Sequence, residues 1–167
     1  MKKHIFLIGL FLIGCSSNDK YLTNEGEVNI EYLFNSPNTE WFKANYESYI
    51  VDDATLHSGF SKIFNYEIEI YMNTKCHDSK REVPRLIKIL NSLNFPEKNL
   101  KIILLNSEKK TSDGLEIGKL ITNTPTIIFL NESEEVNRIV EFPYENLEKD
   151  ILKIINNKNY KHVYYSE

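Results

Sequence analysis

The chain has 167 residues, 41% of them hydrophobic and 26% charged, which suits one ordinary domain with a real core and is too apolar for a disordered protein. Its formal net charge of −4 lacks the basic balance that a nucleic-acid partner selects, so no nucleic acid is expected. It has two cysteines, too few for a disulfide framework.

The first residues do not belong to the fold. Met1-Lys2-Lys3-His4 is a basic start, and Ile5 to Ile13 is an apolar run too short to span a bilayer. Together they read as a secretory signal. The run ends in Leu12-Ile13-Gly14-Cys15, and the polar Ser16-Ser17-Asn18-Asp19 follows. This arrangement resembles the lipobox of bacterial lipoproteins. The resemblance implies cleavage of residues 1–14 and a lipid on Cys15. The alternative, an uncleaved N-terminal anchor, also places the domain outside the cytoplasm, on a membrane of the cell envelope. Cleavage removes Lys2 and Lys3, leaving the mature chain two units more negative. With lipid on Cys15, Cys76 is the sole remaining thiol, and no intrachain disulfide can form even in an oxidising compartment.

Residues 15–35 are polar with little periodicity and read as the lipidated cysteine and its tether. A helix is expected from Ser36-Pro37-Asn38-Thr39, capped by Asn38 or Thr39. It sets Trp41, Phe42, Asn45, Tyr46 and Tyr49 at helical spacing, which reads as a face packed on the core rather than an aromatic ligand site. Val51 to Ile63 reads as a second short helix burying Leu56, Phe60 and Ile63, with Gly59 as an interruption. Tyr66 to Met72 alternates and is rich in β-formers, so a strand is expected there. Ser79 to Leu93 reads as an amphipathic helix, with Val83, Leu86, Ile87, Leu90 and Leu93 on one face and Pro84 kinking its axis. Leu100 to Leu105 suits a parallel strand covered on both faces. Leu115 to Leu120 is expected to form a short helix. Thr126 to Leu130 and Val136 to Phe142 read as a strand pair joined by the polar turn Asn131 to Glu135. Pro143 is expected to open a last helix with Leu147, Ile151, Ile154 and Ile155 as its apolar stripe. Residues 159–167 are a polar tail. This order, helices followed by β-α-β-α-β-β-α, implies one domain over 36–158, with a helical extension (36–64) and a core (65–158). Its mixed sheet should carry helices on both faces.

Chemistry concentrates at Cys76, at the junction between the strand Tyr66–Met72 and the helix that follows. Unpaired backbone N–H groups at a helix start, with the positive end of the helix dipole, stabilise a thiolate. Lys75, Lys80 and Arg81 add positive potential, as does His77 when protonated, while Asp78 opposes it. Asp78 also reads as an acid placed to meet the helix N-terminus, and Ser79 with Glu82 matches a capping-box pattern. His4, His57, His77 and His162 are scattered without metal-ligand spacing, so neither metal nor other cofactor is expected.

Residues from about Tyr66 to Ile155 resemble a thioredoxin-fold domain. Three features carry the resemblance: Cys76 in a C-x-x-S tetrad at a strand-to-helix junction, Pro84 eight residues later, and Thr124-Pro125-Thr126 before a hairpin. More narrowly, Cys76-His77-Asp78-Ser79-Lys80-Arg81-Glu82-Val83-Pro84 looks like the C-x-D-S-x-R-E-V-P stretch of envelope-anchored bacterial thioredoxin-like proteins. The resemblance implies an α/β fold, a thioredoxin-like three-layer α/β/α sandwich. It implies Cys76 as attacking thiolate, with Ser79 in the place of the resolving cysteine, its hydroxyl able to donate to the thiolate. It also implies Pro125 as a cis-proline, with Thr124 pairing a substrate backbone and His77 beside them. The chain departs from thioredoxins at Lys75, where tryptophan is usual, and at Ile70, where their buried acid would fall. Glu69 is adjacent but should point to the other face.

The expected function is monothiol thiol–disulfide exchange through Cys76, with envelope proteins bearing thiols or disulfides as partners and the membrane reached through lipid on Cys15. The alternative is a binding module that keeps the fold without the redox chemistry.

Overall fold

The structure is a computed structural model that describes residues 24–166. The signal segment, Cys15 and the tether up to residue 23 lie outside the described residues.

The ordered domain begins before the boundary expected from sequence. Gly26–Val28 form β1 and Ile30–Asn35 form α1, both inside the stretch read as tether. Residues from Gly26 on, read as tether from sequence, are therefore part of the domain. Asn29 caps α1, its Oδ1 accepting from Tyr32 N–H at 2.9 Å, and Tyr32 and Leu33 are buried. A 3-10 turn at Pro37–Thr39 follows, capped by Ser36. The expected helix starts only at Trp41: α2 is Trp41–Ser48. Phe42 is its fully buried anchor, and Trp41, Tyr46 and Tyr49 pack partly buried against the core, so the aromatic face is structural. The expected second helix divides into α3 (Asp53–His57) and a 3-10 segment at Phe60–Asn65. Gly59 breaks it, at φ 152°.

Then come β2 (Glu67–Met72), α4 (His77–Ser92), β3 (Leu100–Leu104), β4 (Thr126–Asn131), β5 (Glu134–Val140) and α5 (Leu147–Ile155). The five strands form one mixed sheet in the order β1-β3-β2-β4-β5. β2 and β3 are parallel, as expected for strands joined by a helical crossover; the other neighbours are antiparallel. The β4–β5 turn, Glu132-Ser133, has φ of 51° and 67°. Both central residues are left-handed, as a tight hairpin requires, and no glycine announces it.

Among the described residues the sheet carries α-helices on one face, and no helix covers the other as the expected three-layer sandwich would have it. One large core joins Ile68, Ile70 and Met72 of β2 to residues from all five α-helices, so the described α-helices share one face of the sheet. The opposite face carries a small cluster of Tyr71, Ile103, Leu105, Ile128 and Leu130, with Ile121 from the 105–125 connection packed against it. The expected helix at Leu115–Leu120 is absent. Gly114, Gly118 and Leu120 all have φ between 53° and 81°, which ends helical propagation each time it begins. Leu115, Ile117 and Leu120 are left exposed.

The last helix begins at Leu147 rather than at Pro143, because Asn146 supplies the cap, its Oδ1 accepting from Lys149 N–H at 2.8 Å. The tail is also less free than expected. Tyr160 is buried, and its hydroxyl donates to Asp150 at 3.0 Å. Asp150 is itself fully buried and accepts from the N–H groups of Tyr144 and Glu145, so the start of the tail is built into the core.

Candidate functional site

The register brings one end of four strands together. β2 and β3 end at Met72 and Leu104, paired in register, and β1 begins at Gly26 opposite Leu104. β4 begins at Thr126 opposite Tyr71. Everything that leaves or enters the sheet at this end is therefore close in space, and the carboxyl ends of parallel strands are where an open α/β sheet offers a crevice.

Asn73 organises the chain as it leaves β2. Its Nδ2 donates to Leu105 O at 2.8 Å, tying the loop to the neighbouring strand. Its Oδ1 accepts from Lys75 N–H at 2.8 Å, and its carbonyl accepts from Cys76 N–H at 3.1 Å. The side chain mimics a turn of backbone and directs Cys76 onto the first position of α4. Cys76 is the N-cap, with extended backbone (φ −70°, ψ 129°), and Lys80 N–H donates to its carbonyl at 3.0 Å. No side chain caps this helix, so the thiol occupies the place where a capping oxygen would stand.

The thiol is partly buried and unpaired. Its Sγ lies 3.0 Å from Thr124 O, and the Thr124–Pro125 peptide is cis, as the sequence led us to expect. Thr124 and Pro125 are both buried. Pro125 O accepts from Glu141 N–H at 2.7 Å, which fixes the proline loop to the end of β5. The same Glu141 carboxylate accepts from Asn123 Nδ2 at 3.1 Å and from the Tyr164 hydroxyl. The tail therefore reaches the rim of the site, and Tyr164 rests against Phe142 with ring centroids 6.4 Å apart.

Ser79 is fully buried. Its Oγ accepts from Asn73 N–H at 3.3 Å, so its observed bond steadies the loop rather than reaching the sulfur. The expected capping box does not form: the helix starts at His77, Ser79 is its third residue, and the buried Glu82 accepts from Arg81 and Arg85 instead. Asp78 pairs with Arg81 at 2.6 Å. His77 is 83% exposed, with Asp78 3.8 Å away, and presents its ring to solvent. Glu69 lies on the opposite face of the sheet from Ile70, as expected, and is engaged there by Lys119 at 2.6 Å and the Tyr71 hydroxyl at 3.0 Å.

The proline of α4 has a partner that sequence reading missed. Pro84 has no N–H to give to the carbonyl of Lys80 four residues earlier. Asn45 Nδ2 of α2 donates to that carbonyl at 2.9 Å instead. A partly buried acceptor left without its helix donor by Pro84 is thereby satisfied from the N-terminal extension, and α2 becomes part of what holds the N-terminal end of α4. Neither Asn45 nor Asn73 carries a signal in sequence beyond a polar residue in a helix face or a loop.

An open cleft of about 550 Å³ runs beside the thiol, lined by Asn73, Lys75, Cys76, Asn106, Lys109 and Thr124. No family model matches this chain, and neither does any curated protein. A solved structure resembles it weakly: a protein of unknown function from Pseudomonas aeruginosa, 14% identical, over 72% of this chain and 74% of that one, with a TM-score of 0.46. A likeness of that size carries nothing to the site. What the cleft can do rests on its own chemistry: a single thiol, a helix N-terminus behind it, and a backbone segment beside it.

Proposed function

We propose that this chain is a thioredoxin-like, lipid-anchored protein of the cell envelope that performs monothiol thiol–disulfide exchange through Cys76. The observation that carries the reading is the juxtaposition of the Cys76 thiol, at the N-cap of α4, with Thr124 and the cis Pro125. The five-strand order supports it, as does the approach of residues so distant in sequence to one cleft. The anchor part rests on the sequence around Cys15.

The step balances without a cofactor. Cys76 loses its proton to solvent, and the thiolate attacks one sulfur of a partner disulfide. A bond forms between Cys76 Sγ and that sulfur, the partner's S–S bond breaks, and the other partner sulfur leaves as a thiolate. Because the S–H now faces Thr124 O, attack requires the sulfur to turn from that carbonyl toward the cleft. Ser79 has no sulfur with which to resolve the mixed disulfide. An outside thiolate attacks the partner's sulfur, forms the new disulfide and returns Cys76 as thiolate.

The test is exposure of the folded chain to glutathione disulfide, followed by intact mass. The reading predicts one glutathione adduct, on Cys76, removed by added thiol and absent from Cys76→Ser. A chain that takes up glutathione only after unfolding would overturn it.

One observation favours a second reading, a binding module without redox chemistry. The thiol already has an acceptor in Thr124 O, and a satisfied S–H has less need to react. The substitutions at Lys75, Ser79 and Ile70 point the same way. This reading predicts partner binding that survives Cys76→Ala.

A further inference from the structure

We infer that the Cys76 cleft faces the bilayer that anchors the chain, so that its surface meets the anionic headgroups of that membrane. The inference rests on the lipid-anchor reading above and adds to it the direction in which the cleft points.

Three observations carry it. The first is where the chain enters the fold. β1 runs antiparallel to β3, with Gly26 opposite Leu104, so the polypeptide arrives at the end of the sheet that bears Cys76. Asn24 is itself a lining residue of the cleft. Glu25 fixes the entry, its carboxylate accepting from Asn106 Nδ2 at 3.2 Å.

The second is length. Eight residues lie between Cys15 and Asn24, about nine Cα-to-Cα steps. They span at most ~30 Å when fully extended, and about 16 Å root-mean-square as a flexible coil. α4 leads away from the cleft for 16 residues, about 24 Å of helix, so its far end at Ser92 stands well beyond the thiol. At its coil length the tether is shorter than α4, so a lipid on Cys15 keeps the cleft end on average nearer the bilayer than the Ser92 end.

The third is charge. Two lysines, Lys75 and Lys109, line the cleft of a chain that is acidic overall. The nearby acid Glu108 pairs with Lys110 at 3.6 Å. Lys75 and Lys109 can meet anionic headgroups, while the acids closest to the cleft are engaged within the fold, Glu25 by Asn106 and Glu141 by Asn123 and Tyr164.

The test uses the full chain, purified from membranes and placed in phosphatidylethanolamine–phosphatidylglycerol vesicles that carry a nitroxide on some headgroups. A small fluorophore is attached to Cys76, or to the cysteine of a Ser92→Cys variant in a Cys76→Ser background. Intact mass first establishes the lipid on Cys15. The inference predicts quenching about twofold or more stronger at position 76 than at 92. The difference should vanish when about 30 glycine and serine residues inserted after Asn18 lengthen the coil to ~35 Å. Equal quenching at both positions in the lipidated chain overturns the inference and leaves the exchange chemistry to its own glutathione test. Absence of lipid on Cys15 overturns the anchor reading and this inference together.

Discussion

Cys76 Sγ and Thr124 O, from residues 48 apart in sequence, lie 3.0 Å from each other. The contact joins the start of α4 to the loop that enters β4. It depends on β2 and β4 keeping the register that sets Tyr71 opposite Thr126. A one-residue slip would carry the alternating side chains of β4 to the wrong face and the proline loop away from the thiol. The site is thus a product of sheet register, of the Asn73 turn and of the position of α4, and each can be tested separately.

The carbonyl of Lys80 is served by Asn45 because Pro84 cannot serve it. Asn45→Ala should therefore destabilise the fold by about 1 kcal/mol, the net worth of one partly buried hydrogen bond. Pro84→Ala restores a backbone N–H within α4. In a double-mutant cycle followed by urea unfolding, Asn45→Ala should cost less in the Pro84→Ala background than in the wild type. Strict additivity would show that the Asn45 bond is not what compensates the proline.

Ser79 stands one helical turn after Cys76, so Ser79→Cys creates two thiols three residues apart at a helix start, within the span a disulfide can bridge. The variant should discharge a glutathione adduct on Cys76 without any added thiol, whereas the wild type should hold it. Mass spectrometry of the adduct over time distinguishes the two. A variant that keeps its adduct as long as the wild type would show that the buried position of Ser79 does not permit resolution.

The tail should respond to pH through His162. Burial, followed by the charge of Arg138, holds its imidazole below the ordinary value. Its Nδ1 accepts from Tyr164 N–H at 3.2 Å, which a protonated ring cannot do. A folded-state value below the unfolded one means that the group's contribution is present above the unfolded value, about 6.5, and is lost as pH falls through the folded one. Amide exchange of residues 161–166 should accelerate, relative to the intrinsic rate, between pH 7 and 5. His162→Asn, which keeps an acceptor oxygen but does not titrate, should flatten that dependence. An unchanged profile in His162→Asn would assign the effect elsewhere.

The parts of the fold legible in sequence were those with a strong period or a hard constraint. The strand at Tyr66–Met72, the amphipathic α4 and the two apolar strands after it have patterns that packing merely completes. Cys76, Pro84 and Pro125 were read as a set through a family resemblance, and the structure places the cis Thr124–Pro125 peptide against Cys76. The misreadings share a cause. β1 is three residues long, and its evidence is a partner strand some 75 residues away, which no local window contains. The segment Leu115–Leu120 has apolar residues at plausible helical spacing, yet left-handed backbone at Gly114, Gly118 and Leu120 prevents a helix. With no helix there, the described α-helices all pack on one face of the sheet. Asn45 and Asn73 were invisible because an asparagine's role is set by which carbonyl lies opposite, and that is known only once the chain is folded.

The most direct measurement is the alkylation rate of Cys76 by iodoacetamide at neutral pH, compared between the folded chain from Ser16 onward and the same chain in urea. The account predicts a folded-state rate above the unfolded one, since Cys76 lines the open cleft at the N-cap of α4, placed there for attack. A folded-state rate equal to or below the unfolded one would contradict it and move the site from exchange chemistry to binding.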